Sequence, residues 1–193
     1  MATLSLLATR PFCPSSFTLE RVSGGFTSRS QVSALLQVRP TLGWYWRGSM
    51  QFPAATHADR AEMEALMHAW GLGDVMSFGH PLRPVPRGTM RGSPTVSGAH
   101  SAGSRVLKID ATGTLEAGDL FKAGGCLYMV AQKATLSGPT DVILSGSLLT
   151  DLSSGAPIEW DRPAIDWVRT SPIRVTYIPG VSVAIEVEFE EAR

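Results

Sequence analysis

Two stretches of this chain alternate apolar and polar residues with a period of two, the signature of a strand with one buried face. In the first, Trp44, Trp46, Met50 and Phe52 alternate with Tyr45, Arg47, Ser49 and Gln51. Gly48 stands on the apolar face, where a glycine marks a bulge or a close backbone approach, and Pro53 ends the pairing. In the second, Val181, Val183, Ile185, Val187 and Phe189 alternate with Ser182, Ala184, Glu186, Glu188 and Glu190. One face of that strand is apolar and the other acidic. Its apolar face is expected on the core, opposite the Trp44 strand or a helix.

Between them lies the one strong helical pattern. Met63, Leu66, Met67 and Trp70 recur at three-and-four spacing. Thr56 is placed as N-cap with Asp59 three residues on. Acidic residues load the first turns, and Gly71 and Gly73 supply the stop. A helix over 56–71 is predicted, serving either to cover a sheet face or as a Met-rich docking surface.

The remaining pattern is strand and turn. Phe17, Leu19 and Val22 suggest a strand broken at Gly24-Gly25. Val32, Leu35, Leu36 and Val38 suggest another, or an arm that orders on assembly. Val75–Phe78 is a short strand. The stretch from His80 to Gly98 carries Pro81, Pro84, Pro86 and Pro94 with Arg83, Arg87 and Arg91. It is neither helix nor central strand, and reads as a solvated loop or as an arm contacting a neighbouring subunit. Beyond Ser104, strands at short, regular spacing read as a small barrel or sandwich. These include Val106–Asp110, a glycine hairpin around Ala123-Gly124-Gly125, Thr140–Leu144 after a Gly138-Pro139 turn, Ile165–Arg169 and Ile173–Ile178. The expected fold is mainly β, a sandwich or barrel core with one helix plus an inserted small β-barrel. Its parts are a core domain (1–80 and 171–193), a linker (81–103) and the insert (104–170).

Composition narrows the classes. Lysine plus arginine equals aspartate plus glutamate at 17 each in 193 residues. That balance disfavours a general nucleic-acid binder, which needs a basic surplus. With 44% hydrophobic residues, a near-neutral surface favours association. Cys13 and Cys126 sit in no metal or redox motif. They read as reduced thiols of a protein made in the cytosol, with a disulfide between them left open. The apolar run at the start is too short for a membrane span and lacks a basic leader.

Catalytic patterns are missing. No glycine loop matches a phosphate cradle and no serine a nucleophile elbow. The pairs Asp161 with Asp166 and Glu186 with Glu188 read as strand edge or exposed face. His57 and His68 read as surface groups without metal-spaced partners, and His80 and His100 have no nearby orienting acid. Catalytic, cofactor and metal residues are assigned to none. Trp160 and Trp167 are the candidates for a carbohydrate-binding groove.

The order of motifs resembles a family of tailed-bacteriophage tail-tip proteins, similar in role to distal tail proteins. The matching pieces are Gly43-Trp44-Tyr45-Trp46, then Pro53 with Thr56, Ala58 and Asp59. Next comes Pro86-Arg87-Gly88-Thr89 through Gly92, Pro94, Val96 and Gly98. Leu115-Glu116-Ala117-Gly118-Asp119-Leu120-Phe121 and Leu127-Tyr128-Met129-Val130 complete them. The match covers roughly 42–193; the first forty residues lie outside it, and DRPAIDWVRTSPIRV only loosely echoes a family segment. The resemblance implies a structural virion protein of the baseplate without enzymatic activity or cofactor. It implies a homo-oligomeric ring, commonly a hexamer, joining the tail tube protein to the tip hub and to fibre or receptor-binding proteins. A tail-tube subunit, a tail-to-capsid adaptor and a carbohydrate-binding tail module are the alternatives. A ring contact meets a different edge of the next copy. Its expected residues are Arg83, Arg87 and Arg91 on one edge and Glu186, Glu188 and Glu190 on the other.

Overall fold

The computed structural model describes residues 14–29, 36–52, 64–65, 67–178 and 181–192. The fold is mainly β, as expected, and its sheets are antiparallel. The main sheet has six strands: β1 (Ser16–Arg29), β2 (Leu36–Phe52), β3 (Val75–Gly79), β10 (Ala164–Arg169), β11 (Arg174–Ile178) and β12 (Val181–Glu191). Its order is β1-β2-β12-β10-β3, with β11 also paired to β12.

The alternation in β2 and β12 does what it predicts: Trp44, Trp46, Met50, Phe52, Ile185, Val187 and Phe189 are all buried. The two strands are hydrogen-bonded neighbours, with Phe189 beside Gly48 and Val187 beside Met50. β12 therefore lies next to the Trp44 strand and not opposite it. The apolar faces of both form one surface, onto which Trp70 packs, its ring 6.4 Å from Phe189. Phe78, Trp167 and Phe189 complete the cluster at centroid distances of 4.9–5.3 Å, a geometry in which aromatic pairs gain beyond area burial. Of the predicted helix, residues 64–65 and 67–69 are helical, and Met67 and Trp70 are buried. Its N-terminal part, Thr56 to Met63, lies outside the described residues, as do Cys13, His57 and Leu66.

Gly24-Gly25 does not end β1. The pairing shifts register between Ser23 and Gly25 and runs on to Arg29 opposite Leu36; the surplus residues, Thr41–Gly43, are on β2, so the glycines sit opposite a bulge and do not end the strand. Pro172, by contrast, does interrupt. β10 and β11 are successive segments beside the same strand, Arg169 opposite Phe189 and Arg174 opposite Glu186. More residues separate the two partners on their side than on β12, and the surplus is a bulge at Thr170–Ile173. The sheet curls enough that His80, just past β3, meets Phe17 on β1, ring centroids 4.5 Å apart. Among the described residues no strand pairing closes it into a barrel.

The chain between β3 and β10 is a single excursion. It leaves at Gly79 and returns at Ala164, and these two residues are paired partners. The excursion holds two three-stranded sheets. One is β4 (Thr95–Val96), β5 (Val106–Leu115) and β8 (Ala134–Ile143), in that order. The other is β7 (Cys126–Met129), β6 (Leu120–Ala123) and β9 (Ile158–Glu159). No continuous strand pairing among the described residues closes the inserted part into the small barrel that was expected, but isolated bridges join its two sheets at both edges, Thr95 with Pro157 and Val130 with Leu144. Ile165–Arg169, expected in the insert, belongs to the main sheet as β10. Its alternation of buried Ile165 and Trp167 with exposed Asp166 fits either place, and only the pairing decides.

The expected Gly138-Pro139 turn is also absent. β8 runs straight through, with Pro139 opposite Asp110. β8 is an edge strand, where the missing proline N–H costs no ladder bond. On the β6–β7 hairpin both Leu127 and Tyr128 are buried, because this hairpin is covered on both faces. Trp44 and Trp46 cover one of them: the Trp46 indole N–H donates to the Leu127 carbonyl at 2.9 Å, and Trp44 meets Tyr128 edge-on at 6.1 Å. The Trp44 indole N–H donates to the Ser147 carbonyl at 2.8 Å. The two tryptophans thus join main sheet and excursion in one core.

Candidate interaction surfaces

The proline-arginine segment is not a solvated linker. Met90, Val96 and Pro94 are buried and Thr95–Val96 pairs with β5. The cause is Asp119, a buried carboxylate. One oxygen accepts from the backbone N–H of Arg87 at 2.9 Å; the other accepts from Gly88 at 3.1 Å and Glu116 at 2.7 Å. Three backbone donors satisfy a charge that would otherwise be costly to bury. The same contacts pull the Pro86-Arg87-Gly88 backbone onto the end of β5. A β-carbon on Gly88 would clash with the Thr114 carbonyl, and one on Gly113 would stand 2.8 Å from the Met90 nitrogen. Gly113 also has φ +110°, which side-chain-bearing residues rarely adopt. No pattern in the sequence separates Asp119 from an ordinary turn aspartate. The signal was the pairing of two motifs 31 residues apart.

The arginines divide. Arg87 donates to the Ala117 carbonyl and lies 3.7 Å from the Asp119 carboxylate. Arg91 donates to the carbonyls of Gly88 and Met90 at 2.8 and 2.6 Å and stacks over Trp160, 5.0 Å from its ring centroid. Both are engaged within the chain. Arg83 is exposed and makes no ion pair or side-chain hydrogen bond among the described residues. Of the carbohydrate candidates, Trp167 is buried, and Trp160 is half-buried under Arg91 with its indole N–H on the Gly92 carbonyl at 2.9 Å. They form no shared groove.

The acidic face of β12 is ordered by register. Across β1, β2 and β12 the solvent-facing residues form three rows: Glu20–Arg47–Glu190, Thr18–Ser49–Glu188 and Ser16–Gln51–Glu186. In the first row Arg47 donates to the Glu190 carboxylate from Nε at 2.8 Å and from Nη2 at 2.6 Å. That bond, more than the added charge of Glu20, raises the Arg47 pKa further. In the third, Arg174 on β11 stands 3.8 Å from Glu186. Like charges in a row along one face repel, and here that repulsion is relieved within the chain at Glu186 and Glu190. The middle row differs. At the bulge its far neighbour is Thr170, so Glu188 is flanked by short hydroxyl side chains and makes no ion pair among the described residues. The result is a groove of about 410 Å³ floored by this row and walled by Glu20, Arg47 and Glu190. No contact among the described residues joins Arg83, Arg87 or Arg91 to Glu186, Glu188 or Glu190.

Among the described residues no helix is long and apolar enough to cross a membrane, and no cluster of three His, Cys, Asp or Glu side chains is placed to hold a metal ion. No protein-family model and no curated protein matches the chain.

Proposed function

We propose that this chain is a structural protein of a bacteriophage tail tip, similar in role to distal tail proteins. In this reading copies assemble as a ring between the tail tube and the tip hub with its fibres, and the protein does no chemistry of its own. The observation that carries the reading is Asp119. The Pro-Arg-Gly loop and the Ala-Gly-Asp turn are the most specific parts of the family resemblance, and one carboxylate bonds them to each other. They are therefore one structural element of this chain, which supports reading the two motifs together. The register-ordered charged face of the main sheet suits a protein whose partners are other proteins.

The test is co-expression with the tail proteins it accompanies, purification of the assembled tails, and mass spectrometry of the particle. The reading expects this chain in stoichiometric, ring-like copy number at the tip. Its absence from assembled tails, or its presence along the whole tube, refutes that assignment.

A further inference from the structure

We infer that the groove over Glu188 is the seat for Arg83 of a second copy of this chain. The inference rests on the ring reading and names its contact.

Both halves are prepared, and neither side chain is used in an ion pair among the described residues. Of the three glutamates on the solvent face of β12, Glu188 alone has no cation partner among the described residues, and Thr18, Ser49 and Thr170 beside it offer hydroxyl oxygens to further N–H donors. A guanidinium, with five donors in a planar fork, matches a carboxylate ringed by hydroxyls better than an ammonium does. The groove's charge selects a cation: Glu20, Glu188 and Glu190 stand against Arg47 alone.

Arg83 is the complement. It sits at the tip of a loop whose conformation Pro81, Pro84 and Pro86 restrict. The loop is tied down by Arg83 N–H to the His80 carbonyl at 3.3 Å and Arg162 N–H to the Pro84 carbonyl at 2.6 Å. Leu82 and Val85, exposed at 54% and 40%, flank it and give apolar surface to bury on contact. A loop already fixed loses little entropy on binding. Loop and groove lie on different elements, so the contact can join unlike surfaces and propagate from copy to copy, as the ring reading requires.

The experiment is sedimentation of the full chain over a concentration series. It compares wild type, Arg83→Glu, Glu188→Arg, Glu188→Gln and the double exchange Arg83→Glu with Glu188→Arg. Self-association weakened by about tenfold in each single charge reversal, less in Glu188→Gln, and restored in the double exchange establishes the contact. Circular dichroism confirms that each variant is folded. If wild type associates and the single variants associate equally well, the contact is wrong while the ring reading survives. If wild type stays monomeric to roughly millimolar concentration, the contact is too weak to build a ring and is overturned. The tail-tip reading is then judged by particle composition alone.

Discussion

Phe189 lays its ring against Gly48 so closely that a β-carbon at position 48 would stand 2.6 Å from its Cε2 and 2.6 Å from the Thr18 carbonyl oxygen. The glycine is the hole that the aromatic cluster fills. Gly48→Ala should destabilise the chain by about 1–3 kcal/mol through overpacking, read as a lower denaturant midpoint at unchanged slope. Phe189→Leu should remove part of that penalty, so the double variant should lose less than the sum of the singles. Full additivity would mean that the ring and the glycine are not coupled.

Asp119 supports an analogous test. Asp119→Asn replaces an acceptor oxygen with an amide that faces backbone N–H donors. The expected cost is about 2 kcal/mol, and about 3 kcal/mol for Asp119→Ala. Amide exchange at Arg87 and Gly88 should accelerate in both variants before the main sheet is affected. Unchanged protection there would show that the loop is held by its glycine packing alone.

His80 sets an acid limit. Burial, aided by the charge of Arg83, lowers its pKa from 6.5 to about 4. Between those values the unfolded chain binds a proton that the folded chain refuses. Stability is therefore full above pH 6.5 and declines as pH falls toward 4. Subtracting the pH profile of a His80→Gln variant from that of wild type isolates this contribution. Parallel profiles over that window would contradict the assignment.

Tyr128 acts at the other end. Burial raises its pKa from 10 to about 12, against a smaller opposing effect from the Leu149 N–H that donates to its oxygen. The folded state keeps the phenol proton longer, so stability is present below pH 10 and lost as pH rises toward 12. Ultraviolet titration should show one of the three tyrosines ionising late. In Tyr128→Phe that late step should vanish and the alkaline loss of stability should shrink.

What the sequence made legible was local. Period-two runs gave β2, β10 and β12 their buried faces, because alternation is a property of the strand itself. Neighbour relations were another matter. An apolar face fits equally well beside or opposite Trp44, and of the two expected covers for β12 it is the helix end, at Trp70, that packs on it; the alternation of Ile165 and Trp167 fits either sheet, so β10 was misplaced. Proline and glycine were over-read: Pro139 and Gly24-Gly25 are accommodated by an edge and a bulge, which depend on partners the sequence does not display. The candidate contact was half legible. The arginines and glutamates stood out as charge. Which of them the fold consumes internally, leaving Arg83 and Glu188, follows only from register and from Asp119.

The pairing of Gly79 with Ala164 has an engineering consequence. The excursion enters and leaves the main sheet at one spot, so residues 80–163 behave as a cassette with both cut sites side by side. A short turn from β3 directly into β10 would close the remaining sheet without altering its strand order. The scar of the excision would lie elsewhere, at Trp44 and Trp46, whose indole donors and faces would lose their cover. A minimal version of this scaffold would need polar residues at those two positions to stay soluble.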